Sequence, residues 1–129
     1  TNTTYGVAGF VQDAALFALG QGIELEKKIS TPFARRRKIS LDILRDFPKV
    51  KAVAPQGAMY LMLDIRATGL SGIEFANRLL DDHQIAVMPG ESFGQSAAGH
   101  LRVAMTISDD AFGAALRTLC AFATQLADG

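Results

Sequence analysis

The sequence predicts an α/β fold of the α+β kind: a small mixed or antiparallel sheet with helices packed on one side. Stretches with apolar residues three and four apart alternate with short apolar runs, the periodicities of amphipathic helices and of buried strands. Turn signals, Pro55-Gln56-Gly57 and Pro89-Gly90, bound those short runs. No repeat, low-complexity tract or internal linker divides the 129 residues, a length that fits one domain able to bury a real core.

Residues 10 to 19 are apolar almost all round (Phe10, Val11, Ala14, Ala15, Leu16, Phe17, Ala18, Leu19). A helix of that kind is buried on most sides or docks against something else. Gly20 and Gly22 interrupt it. Thr31-Pro32 reads as a helix start, Thr as N-cap and Pro in the first position. Phe33, Arg36, Ile39 and Ile43 or Leu44 carry that helix to about Phe47, where Pro48 stops it. The run Arg35-Arg36-Arg37-Lys38 inside it reads as a solvated face whose stems cover apolar surface.

Val50 to Val53 is a short β-like run, and Ala58 to Ile65 reads as a strand buried on both faces. Ser71 or Gly72 opens an amphipathic helix through Ile73, Phe75, Ala76, Leu79 and Leu80. Ile85 to Met88 and Leu101 to Thr106 are the next strands. Ser108-Asp109-Asp110 supplies an N-cap and two first-turn acids for a last helix that buries Phe112, Leu116, Leu119, Phe122, Ala123 and Leu126. Met59, Met62, Met88 and Met105 fall on these strands as packing residues.

Composition excludes several classes. A formal net charge of zero gives no electrostatic case for nucleic acid or an anionic membrane. A single cysteine and two histidines argue against a disulfide framework and a structural zinc, and no metal ligand set is expected. No apolar run approaches the ~18 residues of a membrane span, and no basic segment precedes an apolar one as in a signal peptide. The chain begins at Thr1 without Met and runs straight into apolar sequence, which leads us to expect a piece of a longer protein.

Motifs of zinc-dependent and nucleotide-binding enzymes are missing: there is no HExxH, Walker loop or Rossmann glycine pattern. His83 sits at an expected helix C-terminus, where the dipole favours an exposed imidazole. Cys120 lies among Leu119, Ala121 and Phe122 and reads as core. The informative stretch is Val87-Met88-Pro89-Gly90-Glu91-Ser92-Phe93-Gly94 followed by His100-Leu101-Arg102-Val103-Ala104. Arg102 cannot shed its charge, and an unpaired buried guanidinium costs several kcal/mol. Either it forms an internal ion pair, with Asp64 or Glu91 as partner, or it reads an anion. His100, two residues away on the same strand, shares its face.

Five motifs in order carry a resemblance. They are Gln12-x-Ala14-Ala15 with Ala18-Leu19; Phe33-x-x-Arg36-Arg37; Pro55-x-Gly57-Ala58-Met59-Tyr60-Leu61; Val87-Met88-Pro89-Gly90-x-x-Phe93-Gly94; and Leu101-Arg102-Val103. Their succession resembles the C-terminal part of class I/II aminotransferases, the fold-type I pyridoxal-phosphate enzymes of the aspartate aminotransferase family. The resemblance implies a connecting segment over 1–31, whose apolar helix would dock on a large cofactor-binding domain, and a small domain over 32–129. It implies that Arg102 binds the α-carboxylate of the substrate, with Ser92, Phe93, Gly94 and Tyr60 as further substrate contacts. It implies pyridoxal 5'-phosphate as cofactor, amino acids and 2-oxo acids as substrates, a homodimer, and a cytoplasmic location.

The family's Schiff-base lysine motif is missing, since Lys27, Lys28, Lys38, Lys49 and Lys51 all lie in unlike contexts. No catalytic or cofactor-binding residue is therefore expected in this chain, and transamination is expected only of a longer parent. Lys38 stands where the family often has an acid. Glu91 stands where the loop often has a small residue, a place from which it could bear on side-chain selectivity. The same carboxylate grip would also serve a carbon–sulfur lyase, or the effector domain of a transcription regulator with this fold.

Overall fold

In the computed structural model, described for residues 6–129, the chain falls into two compact units, one ending at Pro32 and one spanning Phe33–Gly129. The first holds helix α1 (Gly9–Gly20) and the opening turns of helix α2 (Gly22–Arg45). No residue of α1 is buried, and Phe10, Leu16, Phe17 and Leu19 are each more than 70% exposed. Gly22, with φ +62°, makes the sharp turn between the two helices, in a region that favours glycine.

Pro32 lies inside α2 and does not start it, contrary to the sequence reading. The helix is already under way from Gly22, and the Thr31 hydroxyl turns back to donate to the Lys27 carbonyl (2.6 Å) instead of capping forward. The missing N–H of Pro32 removes one bond of the ladder without ending the helix.

The second unit is built on a four-stranded antiparallel sheet in the order β1-β2-β4-β3: β1 Lys51–Ala52, β2 Tyr60–Asp64, β3 Met88–Pro89 and β4 His100–Ala104. Pro89, which cannot donate to a ladder, sits on the edge strand. Successive side chains of β2 and β4 alternate between faces. Leu61, Leu63 and Leu101 are fully buried, and with Ile65 and Met105 they join one core with Phe75 and Leu79 of helix α3 (Gly72–His83) and Phe112, Leu116 and Leu119 of helix α4 (Asp109–Asp128). Fully burying one such leucine stabilises by about 1.5–3 kcal/mol.

The second face of β2 is only half-buried at Tyr60, Met62 and Asp64, so the strand is not covered on both sides as its apolar run suggested. Hydropathy counts Met and Tyr as apolar, yet here they form the open face. Of the four methionines only Met105 is core; Met59 and Met88 are exposed.

Helix caps follow the sequence. Ser71 and Glu74 form a capping box at the start of α3, and Ser108 Oγ accepts from the Ala111 N–H at the start of α4. The basic run on α2 is more than a solvated face. Arg35 and Arg36 both donate to Asp109 (2.8 Å each), Arg36 also to the Met105 carbonyl (3.0 Å), and Arg37 to that of Pro55 (2.6 Å). The Asp109 bonds tie α2 to the start of α4, the Pro55 bond ties it to the segment before β2, and the two arginines lower the pKa of the Asp109 carboxyl.

Candidate anion-binding site

Arg102 projects from the open face of the sheet. Antiparallel register sets it opposite Met62 on β2 and Met88 on β3, with Tyr60 further along β2 on the same face. The guanidinium carbon lies 4.2 Å from the centroid of the Tyr60 ring and 4.3 Å from that of Phe93, both within cation–π range. Phe93 arrives from the 3-10 turn Gly90–Phe93 that follows β3. Among the described residues, nothing accepts a hydrogen bond from the Arg102 guanidinium and no carboxylate pairs with it.

Neither carboxylate proposed as an internal partner is available. Asp64 is gripped by Arg66 through Nε (2.9 Å), Nη2 (2.7 Å) and the backbone N–H (3.0 Å). The Arg66 side chain is the chief cause holding the Asp64 carboxyl at about 2. Glu91 turns away from the open face, and its Oε1 accepts from the backbone N–H groups of Gly72 (2.8 Å) and Gly99 (3.1 Å). The Gly99 bond is the largest of the causes lowering its pKa. One oxygen of the Glu91 carboxylate is thus committed to backbone donors at the start of α3 and just before β4.

The structure thus brings Arg102, Tyr60 and Phe93 together and shows no such contact for Ser92 or Gly94. Ser92 is exposed and makes no hydrogen bond among the described residues. Gly94, at φ +109°, closes the turn by donating to the Glu91 carbonyl (3.2 Å), and its conformation demands glycine although no neighbour crowds it. Gly90 is required for the opposite reason. A Cβ there would stand 1.9 Å from the Ala97 carbonyl oxygen, so the loop backbone packs directly on the segment before β4. The small-residue run Ala97-Ala98-Gly99 was the sequence signal for that close approach.

The remaining titratable candidates stay outside the site. His100 shares the Arg102 face as its spacing predicts, and its Nδ1 donates to the Ala98 carbonyl (2.9 Å), which leaves Nε2 as the free ring nitrogen. His83 is exposed at the end of α3 with its ring edge-on to Phe122. Cys120 is fully buried in the core, and burial pushes its thiol up to about 12, far from nucleophilic. Among the described residues no helix is long and apolar enough to cross a membrane.

A permanently charged fork with aromatic flanks and unspent donors is built to read a planar anion, a carboxylate above all. Fold and site together define a domain with an unpaired guanidinium on the open face of a small antiparallel sheet. The chain belongs to the aminotransferase class I and II family, whose model matches residues 1–119. It is 39% identical to an arginine–pyruvate transaminase from Pseudomonas aeruginosa over 122 residues, 95% of this chain and 31% of the relative. It is 32% identical to an aspartate aminotransferase from Pyrococcus horikoshii, over 81% of this chain and 27% of the relative. The fold superposes on an aromatic aminotransferase from Pyrococcus horikoshii with a TM-score of 0.74 and 28% identity, covering 88% of this chain and 30% of that one. The chain spans less than a third of the length of these relatives.

Proposed function

We propose that this chain is the C-terminal small domain of a pyridoxal-phosphate-dependent amino-acid aminotransferase and that Arg102 binds the α-carboxylate of the amino acid and of the 2-oxo acid. The observation that carries the reading is the Arg102 guanidinium, set between Tyr60 and Phe93 with its donors unspent on protein groups. Two parallel charge-assisted bonds fix the carboxylate in position and plane. They thereby orient the bond to be broken at the α-carbon, an entropic contribution made before the chemistry begins. The relatives named above are transaminases, which favours amino transfer over the lyase and regulator alternatives.

The lysines here do not fit the cofactor. A Schiff-base lysine sheds its proton by desolvation or beside another cation. Lys27, Lys28, Lys38 and Lys51 are exposed, and half-buried Lys49 is ion-paired with Asp128. In this reading the cofactor belongs to a large domain outside these residues, and no chemical step is assigned to this chain beyond binding and orientation. Residues 1–31 form the connecting segment and 32–129 the small domain. The apolar surface of α1, led by Phe10, Leu16, Phe17 and Leu19, docks on the large domain, since contiguous exposed apolar surface marks an interaction site. The reading carries with it a homodimer and a cytoplasmic location.

The test is amino transfer by the full-length protein with pyridoxal phosphate, followed through the cofactor's absorbance and the 2-oxo acid formed. Turnover by the full-length protein and none by residues 1–129 is expected. An inactive full-length protein, or turnover by this chain alone, would overturn the reading.

A further inference from the structure

Phe93 flanks the Arg102 guanidinium and is itself only half-buried. Its side chain is 46% exposed, and its ring lies 4.3 Å from the Arg102 guanidinium carbon. Phe93 is the last residue of the Gly90–Phe93 turn, so the backbone of that turn carries the ring to Arg102. That turn is held from within by one side chain. Glu91 Oε1 receives the N–H of Gly72, the first residue of α3, and the N–H of Gly99, which immediately precedes β4. One carboxylate thus joins three pieces of backbone: the turn carrying Phe93, the start of a helix, and the entry to the strand carrying Arg102.

The surroundings are shaped to it. Glu91 Oε2 is buried without a hydrogen-bond partner among the described residues, and a Cβ on Gly72 would lie 2.3 Å from it. A shorter or apolar residue would avoid leaving that oxygen unsatisfied. The negative charge sits at the N-terminal end of α3, where the helix dipole favours it.

We propose that Glu91 is a positioning residue for substrate binding, fixing Phe93 against Arg102 so that the guanidinium fork is held in the plane that receives the carboxylate. It touches neither substrate nor cofactor. The inference rests on Arg102 being the carboxylate anchor, and the experiment separates the two claims.

In the full-length enzyme, KM and kcat for an amino-acid donor are compared in Glu91→Gln, Glu91→Asp, Phe93→Leu, Glu91→Asp/Phe93→Leu and Arg102→Lys. Gln keeps an acceptor oxygen at full reach and should stay within about threefold of the parent KM. Asp keeps the charge but is one methylene too short to meet both N–H groups, and should raise KM about tenfold with kcat little changed, the scale of one lost charge-assisted bond. Once Phe93 is replaced, the Asp substitution should add less than about twofold, because the ring it acts through is gone. An unchanged KM in Glu91→Asp overturns the proposal, as does an equal loss in KM with and without Phe93. If those results come with a raised KM in Arg102→Lys, the anchor stands and only the role of Glu91 falls. If Arg102→Lys leaves KM unchanged, both fall.

Discussion

Replacing Arg102 by lysine in the full-length protein isolates the geometry of the proposed site from its charge. Both side chains carry one positive charge, and an ammonium still gains some attraction from the Tyr60 and Phe93 rings. What lysine lacks is the planar fork, so of two parallel bonds to a carboxylate one is lost. A charge-assisted hydrogen bond contributes about 1.5–3 kcal/mol, which predicts a KM higher by about 10- to 150-fold. If the grip is equal in ground and transition states, kcat holds; if lysine also lets the substrate rotate, kcat falls as well. Steady-state kinetics with an amino acid and with the corresponding amine lacking the carboxylate give the control, because the amine never used the fork. Folding should be little affected, since Arg102 makes no ion pair among the described residues. A KM within about threefold of the parent's, or an equal loss for the amine, would refute the assignment.

The remaining predictions are tested in the full-length protein. Gly90→Ala pushes a methyl group to within 1.9 Å of the Ala97 carbonyl oxygen, and relieving that overlap should cost about 1–3 kcal/mol in chemical denaturation. Gly94→Ala meets no neighbour, so any loss there reflects its φ of +109° alone. The Cys120 thiol, buried and pushed up to about 12, should resist alkylation at neutral pH until denaturant exposes it; rapid native labelling of Cys120 would contradict the packing of α4. Asp64 has its folded pKa lowered from 3.8 to about 2 by Arg66. Its contribution to stability is therefore present above about pH 3.8 and lost as pH falls through about 2. Thermal melts over that interval should fall less steeply in Asp64→Asn than in the parent.

Much of this was legible from residue types and spacing, and the failures share a cause. Ser71 and Ser108, each before an apolar stripe, announce helix starts because their side chains bond backbone groups within three residues. Thr31-Pro32 has the same local look, and there the larger context prevails: a helix begun nine residues earlier runs through. Arg102 could be singled out as an anion reader, but its rivals could not be dismissed, because Asp64 is claimed by Arg66 two residues along the chain while Glu91 is claimed by backbone N–H groups eight and nineteen residues away. Backbone donors carry no residue type, so a side chain that serves them leaves no trace in composition. For that reason the residue types alone do not show that one Glu91 oxygen serves the N–H groups of Gly72 and Gly99.

The placement of Arg102 also bears on how such a site attains strength. A carboxylate meeting a guanidinium in bulk water gains only about 1 kcal/mol at contact distance, and exposed pairs contribute about as little. The same pair gains several times more once the effective dielectric drops. In this chain Tyr60 and Phe93 remove water from beside the guanidinium, but Phe93 is itself half-exposed and the sheet face beyond it is open. The arginine is thus oriented by its own domain and only partly desolvated by it. Selective retention of a substrate then requires a second surface to close over that face, and closure raises the value of the two bonds as water leaves. An arginine left uncommitted on an open sheet face has this advantage over one already paired: it gives up no internal partner when the carboxylate arrives, so the whole gain from closure goes to the substrate.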